Sequence, residues 1–153
     1  MLKYTDVAVT FAEVPDEIPL CINISNCPCH CEDCHSSYLA EDIGDILDVK
    51  SLDKIISKYG GMSCVSFMGG DSEPLTIDIL AKHVKEKYNL KVCWYSGRQE
   101  LSKEIELKWF DYIKLGPYIP VRGPLDNPYT NQKFYKVVNG MLEDITYKFR
   151  HND

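Results

Sequence analysis

Cys64-Val65-Ser66-Phe67-Met68-Gly69-Gly70-Asp71-Ser72-Glu73-Pro74 carries the pattern of a strand that turns into a helix. The short apolar run Cys64 to Met68 fits a buried strand, and the glycine pair stops it. Pro74 fits the first turn of a helix, where the missing N–H would have had no partner. Leu75, Ile79, Leu80 and Val84 then recur at helical spacing. A strand feeding a helix is the repeating unit of parallel α/β folds.

Working outward, the same alternation continues on both sides. Downstream, Lys91 to Tyr95 reads as a strand ending in Ser96-Gly97-Arg98, Gln99 to Trp109 as a third short helix, and Tyr112 to Leu115 as a strand ending at Gly116-Pro117. Upstream, Ser51 to Lys58 predicts a helix with Ser51 as N-cap and Leu52, Ile55 and Ile56 on one face, ended by Gly60-Gly61. Asp6 to Val14 and Ile18 to Ile24 alternate with period two and read as strands. Strand, helix, strand, helix, strand implies mostly parallel strands joined by right-handed crossovers. The C-terminal part differs in kind. Phe134 to Val138 and Met141 to Phe149 flank Asn139-Gly140, a strong type I′ turn signal, which predicts an antiparallel hairpin. Gly116 to Gln132 reads as a long loop rich in Pro, Gly and Asn.

At 153 residues and 44% apolar content, residues 1–153 are expected to form a single domain. A formal charge of -6 and a pI near 5.2 argue against a nucleic-acid partner. Met1 to Thr10 does not resemble a signal peptide, and no apolar run approaches membrane-spanning length, so the expected location is cytoplasmic.

Four of the seven cysteines fall within Cys27-Pro28-Cys29-His30-Cys31-Glu32-Asp33-Cys34, and Cys27, Cys31 and Cys34 form a C-x3-C-x2-C triplet. In a reducing compartment such a cluster points to metal binding or catalysis. Three thiolates on one loop can hold three corners of a cubane iron-sulfur cluster and leave the fourth iron open, whereas ferredoxin-type clusters use four. The alternative is a structural zinc site with Cys29 as fourth ligand. Zinc ligands usually arrive as two separated pairs, and no second pair follows here. Ligands of parallel sheets bind at the carboxyl ends of the strands, where the cysteine loop, Gly69-Gly70-Asp71 and Ser96-Gly97-Arg98 all fall.

The triplet followed one strand later by a Gly-Gly-acid turn resembles the radical S-adenosylmethionine (SAM) superfamily. Cys34-His35, Tyr95-Ser96-Gly97-Arg98, Lys114-Leu115-Gly116-Pro117-Tyr118 and Thr130-Asn131-Gln132 look like the activating proteins of anaerobic ribonucleotide reductase, a glycyl-radical activase family. The resemblance implies a partial (β/α) barrel of the radical SAM type, since a complete one takes about 250 residues. It implies that Cys27, Cys31 and Cys34 ligate a [4Fe-4S] cluster whose open iron binds SAM. Gly69, Gly70 and Asp71 would meet the methionyl amino group, and Ser96 or Arg98 its carboxylate.

The expected partners are anaerobic ribonucleotide reductase, as protein substrate, and a low-potential electron donor such as flavodoxin or ferredoxin. The incomplete barrel would leave an opening for a large substrate, with Gly116 to Gln132 as part of the docking surface. Two positions depart from the superfamily pattern. Asp33 stands where an aromatic residue often packs on adenine, and Asp71 stands where glutamate is usual. The rival from another class is a noncatalytic iron-sulfur or zinc module that binds a partner, in which the Gly-Gly-Asp turn would have no purpose.

Other residues have plainer readings. Cys21, Cys64 and Cys93 lie in strand runs and read as core thiols. Glu41, Asp42, Asp45 and Asp48 read as a solvated face, and Tyr112, Tyr118 and Tyr129 as packing residues. His35 is open between a place near the cluster and the surface, and His30 reads as a loop residue.

Overall fold

The computed structural model describes residues 1–25 and 43–149. Eight strands form one sheet: β1 (Lys3–Val9), β2 (Pro19–Ile24), β3 (Asp45–Ile46), β4 (Cys64–Met68), β5 (Lys91–Tyr95), β6 (Tyr112–Leu115), β7 (Lys133–Val138) and β8 (Met141–Asp144). Their order is β3-β1-β2-β4-β5-β6-β7-β8. Two α-helices occur among the described residues, α1 (Val49–Lys58) and α2 (Pro74–Tyr88).

Alternation along the strands sorts the sheet into two faces. Leu20, Ile22, Ile24, Val65, Phe67, Val92, Trp94, Ile113 and Leu115 pack with Leu52, Ile55 and Ile56 of α1 and Ile77, Leu80, Ala81 and Val84 of α2. Trp94 is fully buried because its indole N–H has an acceptor, the Gly69 carbonyl at 2.7 Å. On the other face Cys64, Cys93, Tyr112 and Phe134 pack with Val14, Leu125 and Ile145, so chain segments outside the sheet cover it. The amino ends of β5 and β6 are tied to Glu17, whose carboxylate accepts from Ser63 Oγ, Lys91 Nζ and Tyr112 OH, each at 2.8 Å. Burial pushes the Glu17 pKa up, but these donors outweigh it and the net shift is downward.

The expectation of a partial (β/α) barrel of mostly parallel strands is overturned. The sheet is mixed, and four of the seven pairings among the described residues are antiparallel, β1 with β2 and β3, β6 with β7, and β7 with β8. Only the middle, β2-β4-β5-β6, is parallel. The reason lies in the connections. No helix separates β1 from β2 or β6 from β7, and a parallel return normally needs a crossover long enough to hold one. The C-terminal hairpin is present, with Val138 opposite Met141 and positive φ at Asn139 (52°) and Gly140 (75°).

Smaller differences have local causes. The N-cap of α1 is Asp48, whose carboxylate accepts the Ser51 N–H at 2.8 Å while Ser51 Oγ accepts the Asp48 N–H at 2.9 Å. Ser51 is thus the reciprocal third-position partner of a capping box. On α2, Leu75 and Ile79 face outward, and Ile77 and Ala81 join Leu80 and Val84 inside. The third helix is reduced to a 3-10 turn at Leu107–Trp109. Ser102 Oγ takes the Glu104 N–H at 3.2 Å and Asp78 Oδ1 takes the Glu106 N–H at 2.7 Å, and both bonds draw donors away from a helical ladder.

Candidate functional site

The parallel centre of the sheet aligns the carboxyl ends of β2, β4, β5 and β6 on one edge. Met68 pairs with Asn23 and Tyr95, and Tyr95 with Lys114, so the turns that follow are neighbours. Main-chain bonds join them: Gly69 N–H to the Tyr95 carbonyl at 3.0 Å, and Ser96 N–H to the Lys114 carbonyl at 2.9 Å. Gly116 N–H donates to the Arg98 carbonyl at 2.6 Å. The cysteine loop begins just beyond Ile24-Ser25, the end of β2 on this same edge. Cys27, Cys31 and Cys34, with Cys29, His30, Asp33 and His35, lie outside the described residues.

The glycine pair is required by packing. Gly69 has φ 116°, and a Cβ there would lie 3.1 Å from the Ile24 carbonyl oxygen, the last residue of β2. Gly70 has φ 97°, and its Cβ would lie 2.6 Å from Ile77 Cδ1 of α2. Both backbones hold positive φ, and both turns press against neighbouring elements. The pair therefore brings β4 close to the root of the cysteine loop and to the first turns of α2.

Asp71 is 3% exposed. Its Oδ1 accepts the Ser96 hydroxyl at 2.5 Å and its Oδ2 accepts the Gly97 N–H at 2.8 Å. Ser96, 2% exposed, in turn receives the Arg98 N–H on Oγ at 3.2 Å. The structure thus brings Gly69, Gly70, Asp71 and Ser96 together in one corner. Arg98 is exposed beside them, and its guanidinium makes no ion pair among the described residues. The expectation that the Gly-Gly-Asp turn has no purpose without a ligand does not hold, since Asp71 links the ends of β4 and β5 on its own.

One residue of this corner is absent from the reading of the sequence as a site residue. Lys114 is 7% exposed, and its ammonium donates to the carbonyls of Gly116 at 2.7 Å and Ser96 at 3.2 Å. It also lies 5.9 Å from the centre of the Tyr95 ring, within cation-π range. The available signal was a lysine inside the apolar strand Tyr112–Leu115, next to its carboxyl end.

Cys21, Cys64 and Cys93 take no part in this corner's hydrogen bonds, and the long loop enters them through Gly116. Cys21, Cys64 and Cys93 are buried and free, on adjacent strands. Burial pushes the Cys21 thiol up to about 11 and raises those of Cys64 and Cys93 further. No group of three or more potential metal ligands occurs among the described residues. Within the long loop, Asn131 Nδ2 donates to the Pro117 carbonyl at 3.0 Å and Thr130 Oγ1 to the Gly123 carbonyl at 3.1 Å, while Val121 and Tyr129 are exposed. No described helix is long and apolar enough to cross a membrane.

Comparison with known proteins gives one match. The model of a family described as 4Fe-4S single cluster domain covers residues 18–137, from just before β2 through β7, including the cysteine triplet and the strand-end turns. No curated protein and no solved structure matches the chain.

Proposed function

The chain belongs to the 4Fe-4S single cluster domain family, and from that premise we propose a radical SAM activase that generates a glycyl radical on a partner enzyme. Cys27, Cys31 and Cys34 hold the cluster in this reading, because thiolates suit iron and a three-ligand set leaves one iron for a substrate. When bound, the cluster supplies the low-potential electron that splits the SAM sulfonium into methionine and a deoxyadenosyl radical.

The observation that carries the proposal is the shared edge. β2 ends at Ile24 beside Gly69, with Ser25 and Asn26 between it and Cys27 in the sequence, and the buried carboxylate of Asp71 and the exposed Arg98 lie on the next two strand ends. An amino acid moiety needs an acceptor for its ammonium and a cation for its carboxylate, and this edge offers both. Asp71, oriented by Ser96 and Gly97, supplies the carboxylate that meets the ammonium in this reading. Being one methylene shorter than glutamate, Asp71 needs the ligand slightly closer to the backbone.

The protein substrate in this reading is anaerobic ribonucleotide reductase, and the reductant is a flavodoxin or ferredoxin. The setting is cytoplasmic, where thiols stay reduced. The sequence motifs outside the cysteine loop favour that reductase over other glycyl-radical enzymes, and Val121 and Tyr129 of the long loop are exposed for contact.

A second reading is a single-cluster electron carrier or partner-binding module. It is favoured by the internal roles of Gly69, Gly70 and Asp71, whose packing and hydrogen bonds tie β4 to Ile24 of β2, to α2 and to the turn after β5. Anaerobic reconstitution with iron and sulfide, followed by dithionite and SAM, separates the two. Deoxyadenosine from the wild type and none from Cys31→Ala supports the activase. A loaded cluster with no deoxyadenosine leaves the carrier.

A further inference from the structure

We infer that Lys114 is a positioning residue for the strand-end site: its buried ammonium acts as an internal cation that clamps the end of β6 to the turn holding Asp71. The inference rests on the reading of this corner as the SAM site. Burying a lysine that is 7% exposed is costly unless the surroundings replace the hydration of its ammonium. The Ser96 and Gly116 carbonyls and the face of Tyr95 contribute to that replacement here. A leucine would pack in this strand without that cost, so the charge has work that packing does not explain.

That work is visible in the connectivity. Ser96 is bound at both ends, its hydroxyl to Asp71 at 2.5 Å and its carbonyl to Lys114 at 3.2 Å. Gly116 is bound twice as well, its carbonyl by Lys114 at 2.7 Å and its N–H by the Arg98 carbonyl at 2.6 Å. The ammonium therefore fixes the Ser96-Gly97 peptide directly, and it holds Gly116, whose N–H binds the Arg98 carbonyl at the other end of the turn. The two carbonyl oxygens would otherwise be buried acceptors without a shared donor. A neutral side chain of the same length fills the space and leaves the clamp unmade.

The test uses the reconstituted protein and measures SAM dissociation constants by equilibrium dialysis beside thermal unfolding. Lys114→Met is expected to fold and to weaken SAM binding about tenfold or more, the equivalent of one charge-assisted hydrogen bond. Lys114→Ala is expected to lose binding similarly and to recover it with n-propylammonium, which restores the missing atoms and charge, but not with 1-propanol. Should Lys114→Met not fold, the Ala variant decides alone. Wild-type affinity in Lys114→Met, or equal rescue by propanol, would overturn the inference and leave the SAM reading intact. A wild type that takes up its cluster and binds no SAM would overturn both together.

Discussion

Oδ1 of Asp71 receives the hydroxyl of Ser96 at 2.5 Å across 25 residues of sequence, so the carboxylate that ends β4 is held by the turn that ends β5. Both groups are almost wholly buried. A hydrogen bond to an ionised acceptor in such surroundings is stronger than a neutral one, and losing it strands its donor.

Asp71→Ala should therefore lower stability as well as ligand binding, by about 1–3 kcal/mol, since the Ser96 hydroxyl and Gly97 N–H lose their acceptor. Urea unfolding of the wild type and variant measures it. A variant as stable as wild type would mean that this corner does not depend on the carboxylate.

Gly70→Ala is expected to cost about 1–3 kcal/mol, from positive φ and from a Cβ at 2.6 Å from Ile77 Cδ1. Ile77→Ala removes the obstructing atoms, so the double variant should be less destabilised than the sum of the single ones. Additive losses in a double-mutant cycle would rule out the contact as a cause.

Asp53 of α1 accepts the Tyr88 hydroxyl at 2.6 Å and the His83 ring Nε2 at 2.8 Å, both from α2, and pairs with Lys87 at 3.1 Å. The Tyr88 hydroxyl, and next the His83 ring, hold its carboxyl well below the usual carboxylate range. Because the folded pKa lies below the unfolded value of about 3.9, the contribution is complete above that value and is lost as pH falls through it toward the folded one. Stability measured from about pH 5 down to pH 3 should fall less steeply in Asp53→Asn than in wild type. Equal slopes would remove this cluster from the acid response.

Cys21, Cys64 and Cys93 should resist alkylation by iodoacetamide at pH 8 until denaturant is added, because burial keeps all three as thiols. Replacing any of them by Ala should leave iron uptake unchanged, while Cys27→Ala, Cys31→Ala and Cys34→Ala each lose it. Peptide mass mapping and iron analysis read the two outcomes. Labelling of Cys93 in the folded state, or loss of iron on its replacement, would contradict the division of labour.

The strands Cys64–Met68, Lys91–Tyr95 and Tyr112–Leu115 were legible to the residue, because short runs bounded by Gly, Pro or Asn have few alternatives. Pairing direction was not. Period-two alternation at β1 looks the same whether its neighbour runs with it or against it, and only the path from Val9 to Pro19 decides. The α1 cap was placed three residues late because Asp48 and Ser51 are both good caps and trade bonds. Clustering of Gly69, Gly70, Asp71 and Ser96 followed from strand order alone. Lys114 belonged to a segment that carried the resemblance but was not read as a site residue, because a lysine in a strand ordinarily points to solvent and the carbonyls it binds come from two separate turns.

The most direct test of the central claim is electron paramagnetic resonance of the dithionite-reduced, reconstituted protein before and after adding SAM. The account predicts a single reduced [4Fe-4S] signal, about four irons per chain, whose g values change when SAM binds and stay fixed in Asp71→Ala. A cluster signal that SAM leaves unchanged in the wild type would contradict it and establish a carrier whose strand-end corner serves the fold alone.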